Sequence, residues 1–169
     1  MQNQTGGLKA RHEKTSYTMA QSLLKIYIHL IFHIKTTSAV IQDEDLDKLS
    51  AYIFGTLNNV NCTAVAVGGM RDHVHLLFKL GAQTDIATIV EHVKIASNKY
   101  LHALSPDYRT FAWQAGYGAF SVSPNAIESA IEYVKNQKEH HRDKDFGKEY
   151  LMFLRAYKVD HDERYVFRD

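Results

Sequence analysis

The chain has 169 residues, 45% hydrophobic and 23% charged, which is enough for one domain with a substantial core and excludes disorder throughout. Its formal net charge of +1 excludes nucleic-acid binding through overall charge, so any such surface has to arise from local clustering. The single cysteine, Cys62, excludes an internal disulfide and a cysteine zinc cluster and points to a reducing compartment, and no apolar run approaches the roughly 18 residues of a membrane span.

The N-terminus also lacks the apolar centre of a signal peptide, so a soluble, cytoplasmic protein with no membrane partner is expected. Residues 1–18 carry few apolar side chains and no periodicity, and are expected to form a loose leader or extension ahead of a single domain over 19–169. From Leu23 to Ile34 the run is rich in β-branched and aromatic residues and predicts a central strand. Asp43 is a candidate N-cap for a first helix, with Leu46, Leu49, Ile53 and Leu57 at helical spacing. The apolar runs Cys62 to Val67 and Asp72 to Phe78 flank a turn-like Gly68-Gly69-Met70-Arg71 and predict a hairpin. Asp85 opens a second helix whose apolar face includes Ile86, Ile89, Val90, Val93, Tyr100 and Leu104. A fourth strand is expected at the end of Trp113 to Ser123, and Ser123-Pro124 starts a third helix with the stripe Ile127, Ala130, Ile131 and Val134, running through Glu139. A short last helix carries Phe146, Tyr150, Leu151 and Leu154, and the tail aromatics Tyr165 and Phe167 are placed to dock back.

The order βαββαβ predicts an α+β fold, a ferredoxin-like or RRM-like antiparallel sheet with two helices on one face and an additional C-terminal tyrosine-bearing helix. In the second hairpin strand, His73 and His75 are two residues apart and share a face, so their imidazoles can serve one metal ion. On the third helix Tyr133 and Gln137 are four apart and share a face on the rim of the apolar stripe. Together these groups suit phosphodiester cleavage, which needs a nucleophile and a cation to absorb charge on the phosphoryl oxygens. A metal held by His73, His75 and the Gln137 amide oxygen would sit one helical turn from Tyr133, and phosphate chemistry suits Mg²⁺ or Mn²⁺.

His73-Val74-His75, Tyr133-Val134-Lys135-Asn136-Gln137 followed by His140-His141, and the segment Trp113-Gln114 to Gly116-Tyr117-Gly118-Ala119-Phe120-Ser121-Val122 resemble the HUH single-tyrosine transposases of small hairpin-ended insertion sequences, including relatives associated with repetitive extragenic palindromes. The resemblance spans about Lys25 to Phe167. It implies that His73, His75 and Gln137 are metal ligands and that Tyr133 is the nucleophile, linked to a DNA 5′ phosphate and leaving a free 3′ hydroxyl. It also implies single-stranded DNA bearing a hairpin as substrate, and a homodimer that in several members exchanges the tyrosine helix between subunits. Candidate DNA contacts are Arg71, Lys94, Asn98, Lys99, Lys135, Lys138 and Arg142. Two other readings fit the same residues. One is a non-catalytic RRM-like nucleic-acid-binding module, with sheet aromatics such as Tyr27 or Phe32 stacking on bases. The other is a metal-dependent hydrolase with water as nucleophile, for which Asp72 is the carboxylate nearest in sequence.

Overall fold

A computed structural model describes residues 23–140 and 146–167. The expected leader and Arg142 lie outside the described residues. Four strands, β1 (Tyr27–His33), β2 (Thr63–Gly69), β3 (His73–Lys79) and β4 (Gly118–Val122), form one antiparallel sheet in the order β2-β3-β1-β4. The expected βαββαβ order is observed, with α1 (Leu46–Asn59) and α2 (Ile86–Leu104) as its two helices.

Strict alternation divides the sheet into two buried faces. Ile28, Leu30 and Phe32 of β1 and Val74, Leu76 and Phe78 of β3 pack against Leu46, Leu49, Ile53 and Leu57 of α1 and Ile89, Val90, Val93 and Leu101 of α2. Each such side chain contributes about 1.5–3 kcal/mol on burial, so this layer is the main source of cohesion. The interleaved residues, His29, Ile31 and His33 of β1 with His73, His75 and Leu77 of β3, point to the opposite face. That face is covered by α3 (Ile127–Lys135), α4 (Gln137–His140) and α5 (Phe146–Ala156); a further turn of helix, α6 (Glu163–Val166), lies near the end. Val134 of α3 packs on Ala66 and Leu77, while Phe146, Tyr150 and Leu154 of α5 pack on Ile31 and Phe120, with Phe167 docked beside them as expected.

Local departures from the expected elements have identifiable causes. Asp43 does not cap α1. Residues Asp43–Asp45 form a 3₁₀ turn, and α1 begins at Leu46 because Asp45 is held by the Lys48 ammonium and the Tyr108 hydroxyl. Asp85 does cap α2, accepting the Thr88 amide at 2.9 Å. Ser123 makes no side-chain cap bond, since a 3₁₀ turn over Pro124–Ala126 precedes α3. The third helix does not run on through Glu139. It breaks at Asn136, whose backbone (φ −99, ψ 31) leaves the helical region and whose carbonyl accepts the Glu139 amide. Asparagine is a weak helix former because its side chain competes for the backbone. At Gly68, a Cβ would collide with the backbone carbonyl of Val134, so only glycine lets the C-terminal end of α3 lie this close to the edge strand β2.

Candidate active site

Residues from both sheet strands and from two helices converge on a carboxylate that sequence reading did not single out. His33 and His73 face each other in the β1/β3 register, and His29 lies diagonally from His75 on the same face. His73 and His75 are fully buried, their ring centroids 5.1 Å apart. The Nε2 atoms of His73 and His75 lie 3.7 and 3.4 Å from Glu149 Oε2 of α5. The other oxygen of the same carboxylate accepts a hydrogen bond from the Tyr133 hydroxyl of α3. Ligand atoms of His73, His75 and Glu149 all lie within 4.8 Å of one another, a spacing compatible with one small cation.

Gln137 joins this group differently from the expected rim position. It is buried at 2% exposure, and its Nε2 donates to the Tyr133 backbone carbonyl at 2.9 Å. Its Oε1 is buried and makes no hydrogen bond among the described residues, an acceptor that a cation would satisfy. The helix break at Asn136 therefore does not separate Gln137 from Tyr133.

The far nitrogens of both histidines are anchored. His73 Nδ1 is 2.7 Å from Asp72 Oδ1, and His75 Nδ1 is 2.9 Å from His29 Nε2. Burial, and then His75, hold the His29 imidazole down at about 3 against an opposing pull from Glu149, so it is neutral at physiological pH. Burial pushes the Glu149 carboxyl up, but the hydrogen bond and charge of His75, the Tyr133 hydroxyl and His73 together outweigh it and hold the group down at about 2. Burial first, then the hydrogen bond and charge of Glu149, push the Tyr133 hydroxyl well above the usual phenol range, against a smaller pull from Gln137. In this arrangement the phenol keeps its proton and points it at a carboxylate.

The expected DNA contacts divide into three groups. Exposed Lys135 and Lys138 line a polar cleft of about 510 Å³ with Ser50, Gly68, Gly69 and Gln137, and exposed Arg71 lies in the β2–β3 turn. Lys94 is turned away from solvent. Its ammonium donates to the carbonyls of Gln114, Ala115 and Gly116 at 2.7, 3.1 and 2.7 Å and lies 5.0 Å from the Phe32 ring centroid, so its three donors are spent on the loop before β4. Half-buried Asn98 and exposed Lys99 belong to α2, in the layer on the far side of the sheet from the histidines.

Glu149 and His29 were missed by sequence reading, yet each left a signal. Glu149 falls three residues after Phe146 and one before Tyr150, so a charged residue interrupts the apolar stripe of α5. His29 stands between Ile28 and Leu30 in a strand buried on both faces, where a polar side chain requires a partner.

The family of IS200-like transposases matches residues 22–137. Comparison with curated protein sequences gives no match. Among solved structures, a Deinococcus radiodurans protein assigned as a transposase is 27% identical with a TM-score of 0.52, covering 70% of this chain and 98% of that one. A REP-associated tyrosine transposase bound to a REP hairpin superposes with a TM-score of 0.53 at 10% identity, covering 91% of this chain and 97% of that one, a likeness of fold. No helix among the described residues is long and apolar enough to cross a membrane.

Proposed function

Because the chain belongs to the IS200-like transposase family, we propose that it cuts and rejoins single-stranded DNA beside a hairpin, with Tyr133 as the nucleophile. The observation that carries this reading is the convergence of the Tyr133 hydroxyl and both histidine Nε2 atoms on one buried carboxylate, Glu149. A phenol becomes a competent nucleophile only when a base accepts its proton, and Glu149 already accepts the hydrogen bond from that hydroxyl. The Tyr133 oxygen forms a bond to the phosphorus as the bond from phosphorus to the 3′ oxygen breaks. The phenolic proton passes to Glu149, which hands it on to the departing 3′ oxygen, so that the cut strand leaves with a 3′ hydroxyl and the carboxylate is restored. Rejoining is the reverse step, attack of an incoming 3′ hydroxyl on the tyrosine-linked 5′ phosphate, and it needs no external energy source because one phosphodiester replaces another.

The donor set fits a divalent cation. His73, His75 and Glu149 supply atoms within 4.8 Å of one another, and the Gln137 Oε1 atom adds a buried acceptor. Mg²⁺ or Mn²⁺ held there would draw charge from the phosphoryl oxygens, and the paired imidazoles favour Mn²⁺. Lys135 and Lys138 beside Gln137 are the residues placed to bind flanking phosphates. The hairpin in the substrate assignment draws on the REP hairpin held by the fold neighbour. A homodimer is part of the proposal, supported by β2 and β4 ending the sheet with no further strand beside them among the described residues. Tyr133 lies against the histidines of its own chain, so the dimer is not needed to assemble the catalytic groups in this arrangement.

Incubation with hairpin-bearing single-stranded DNA and Mn²⁺ should yield a covalent adduct that peptide mapping places on Tyr133. An adduct on another tyrosine overturns the assignment. Glu149 also supplies the carboxylate that the hydrolase reading requires, a place Asp72 cannot fill while it bonds His73. That reading predicts metal-dependent cleavage with no adduct, and cleavage by Tyr133→Phe. The open-sheet RRM-like reading is disfavoured because both faces are covered, with Phe32 packed under Trp113 at 4.8 Å between centroids.

A further inference from the structure

We propose that His29 and Asp72 are positioning residues that fix the tautomers of His75 and His73, so that both Nε2 lone pairs face the Glu149 carboxylate where a cation binds. The inference rests on the metal reading above and assigns residues on which that reading is silent. An imidazole has two nitrogens, and it ligates through one only when the other carries the proton. His73 Nδ1 lies 2.7 Å from the Asp72 carboxylate, which is an acceptor only, so that nitrogen holds a proton and Nε2 is the one left to bind a cation. His75 Nδ1 lies 2.9 Å from His29 Nε2, and this contact has two possible polarities. If His29 donates, His75 carries its proton on Nε2 and cannot ligate through it. If His29 accepts, Nδ1 of His75 keeps its proton, and Nε2, 3.4 Å from Glu149 Oε2, is the nitrogen that gives up its hydrogen to bind the ion.

The geometry favours the accepting role. The same carboxylate oxygen lies within 3.7 Å of both Nε2 atoms, so the two rings present equivalent atoms to one point and need equivalent tautomers to share an ion. His29 is 4% exposed and wedged between His75 and Phe153, ring centroids 5.1 Å from each, so its ring is held in place by packing. The pair Asp72–His73 and the pair His29–His75 thus do the same work with different acceptors, one charged in a half-exposed turn and one neutral inside the core.

The test uses the full chain without DNA. Mn²⁺ affinity is read by electron paramagnetic resonance, and imidazole tautomers by ¹⁵N spectra of the protein saturated with diamagnetic Mg²⁺. His29→Phe should lose about 10- to 100-fold in Mn²⁺ affinity, the usual effect of removing such a partner. It should also lose the Nδ1–H signal of His75, and His29→Gln, which retains an acceptor, should recover most of both. Asp72→Ala should weaken Mn²⁺ binding and Asp72→Asn should largely restore it; because Asp72 is exposed in a turn, this pair folds whatever the core substitution does. Wild-type affinity in both His29→Phe and Asp72→Ala, or an Nε2-protonated His75 in the wild-type protein with Mg²⁺ bound, overturns the proposal. Absence of Mn²⁺ binding by the wild-type protein would instead overturn the metal reading beneath it.

Discussion

The Tyr133 hydroxyl is hydrogen-bonded to the Glu149 carboxylate, so α3 and α5 are tied together directly over the histidine pair. A hydrogen bond to a charged acceptor contributes about 1.5–3 kcal/mol, more than a rim tyrosine with a wet hydroxyl would. Tyr133→Phe is therefore expected to lower stability by an amount in that range while binding hairpin DNA within a few-fold of wild type and forming no adduct. Chemical denaturation and an adduct assay check the two halves separately. Unchanged stability would show that the bond does not persist in solution, and any adduct would remove Tyr133 as nucleophile.

Gly68→Ala tests how α3 is seated. The added methyl meets the Val134 backbone carbonyl, which cannot rotate away as a side-chain tip can. Overpacking of this kind costs about 1–3 kcal/mol, and relief requires the Tyr133 helix to lift from β2. The expected result is a lower melting temperature together with slower adduct formation. Gly55→Ala, whose Cβ meets nothing within 4 Å inside α1, is the control. It should raise the melting temperature slightly, since alanine favours a helix over glycine by about 0.5–1 kcal/mol, and leave adduct formation unchanged.

The lysines separate by salt dependence. Each phosphate contact to a single strand contributes about 0.7 to the slope of log K against log salt. Lys135→Ala and Lys138→Ala should each reduce that slope, since both side chains border the cleft beside Gln137. Lys94→Met should leave the slope unchanged and instead destabilise the protein, because three carbonyls of residues 114–116 lose their shared donor. A reduced slope for Lys94→Met would restore it as a DNA contact.

Alternation and helical spacing were sufficient to order the strands and helices, because β1 and β3 bury both faces and α1 buries Leu46, Leu49, Ile53 and Leu57. The spacing of His73, His75, Tyr133 and Gln137 was likewise legible, since each pair is local. Glu149 was not. Its meeting with His75 depends on how α5 crosses the sheet, which is set by Phe146, Tyr150 and Leu154 packing on Ile31 and Phe120, and no local pattern encodes that crossing. The burial of Gln137 depends in the same way on the break at Asn136 and the close approach at Gly68. His73 and His75 are fully buried, so His73→Ala or His75→Ala also opens a cavity, and loss of cleavage in those variants has to be read beside their stability.

The buried Tyr108–Asp45 pair gives the fold a dependence on alkaline pH. The Tyr108 hydroxyl donates to Asp45 Oδ2 at 2.6 Å and accepts the Gln42 amide at 3.0 Å. Burial and the Asp45 carboxylate push this phenol up to about 12, so the folded state holds its proton more tightly than the unfolded state, where the ordinary value is about 10. A raised folded value contributes stability that is complete below the unfolded value and lost as pH rises through the folded one. The stability advantage of wild type over Tyr108→Phe is therefore expected to be constant below pH 10 and to shrink between 10 and 12. Urea melts of the two proteins across that range decide it, and a constant difference would mean that Tyr108 does not hold Asp45 in solution.

Glu149→Gln separates the two jobs assigned to one carboxylate. The substitution keeps the side chain's size, so the packing of α5 against Ile31 and Phe120 should survive, while the charge facing His73 and His75 disappears. Mn²⁺ affinity should fall, because an anionic ligand is replaced by a neutral one at the same position. The ionisation of Tyr133 should move back toward the ordinary phenol range, since the neighbouring negative charge is among the causes that raise it. A more acidic phenol alone would favour attack. Adduct formation should nonetheless slow sharply, because the amide cannot take the phenolic proton. The measurements are Mn²⁺ binding without DNA, ultraviolet titration of the variant against Glu149→Gln/Tyr133→Phe, and single-turnover adduct formation as a function of pH. Unchanged Mn²⁺ affinity would remove Glu149 from the ligand set. Adduct formation at the wild-type rate with a lowered Tyr133 titration would show that a group other than Glu149 takes the proton.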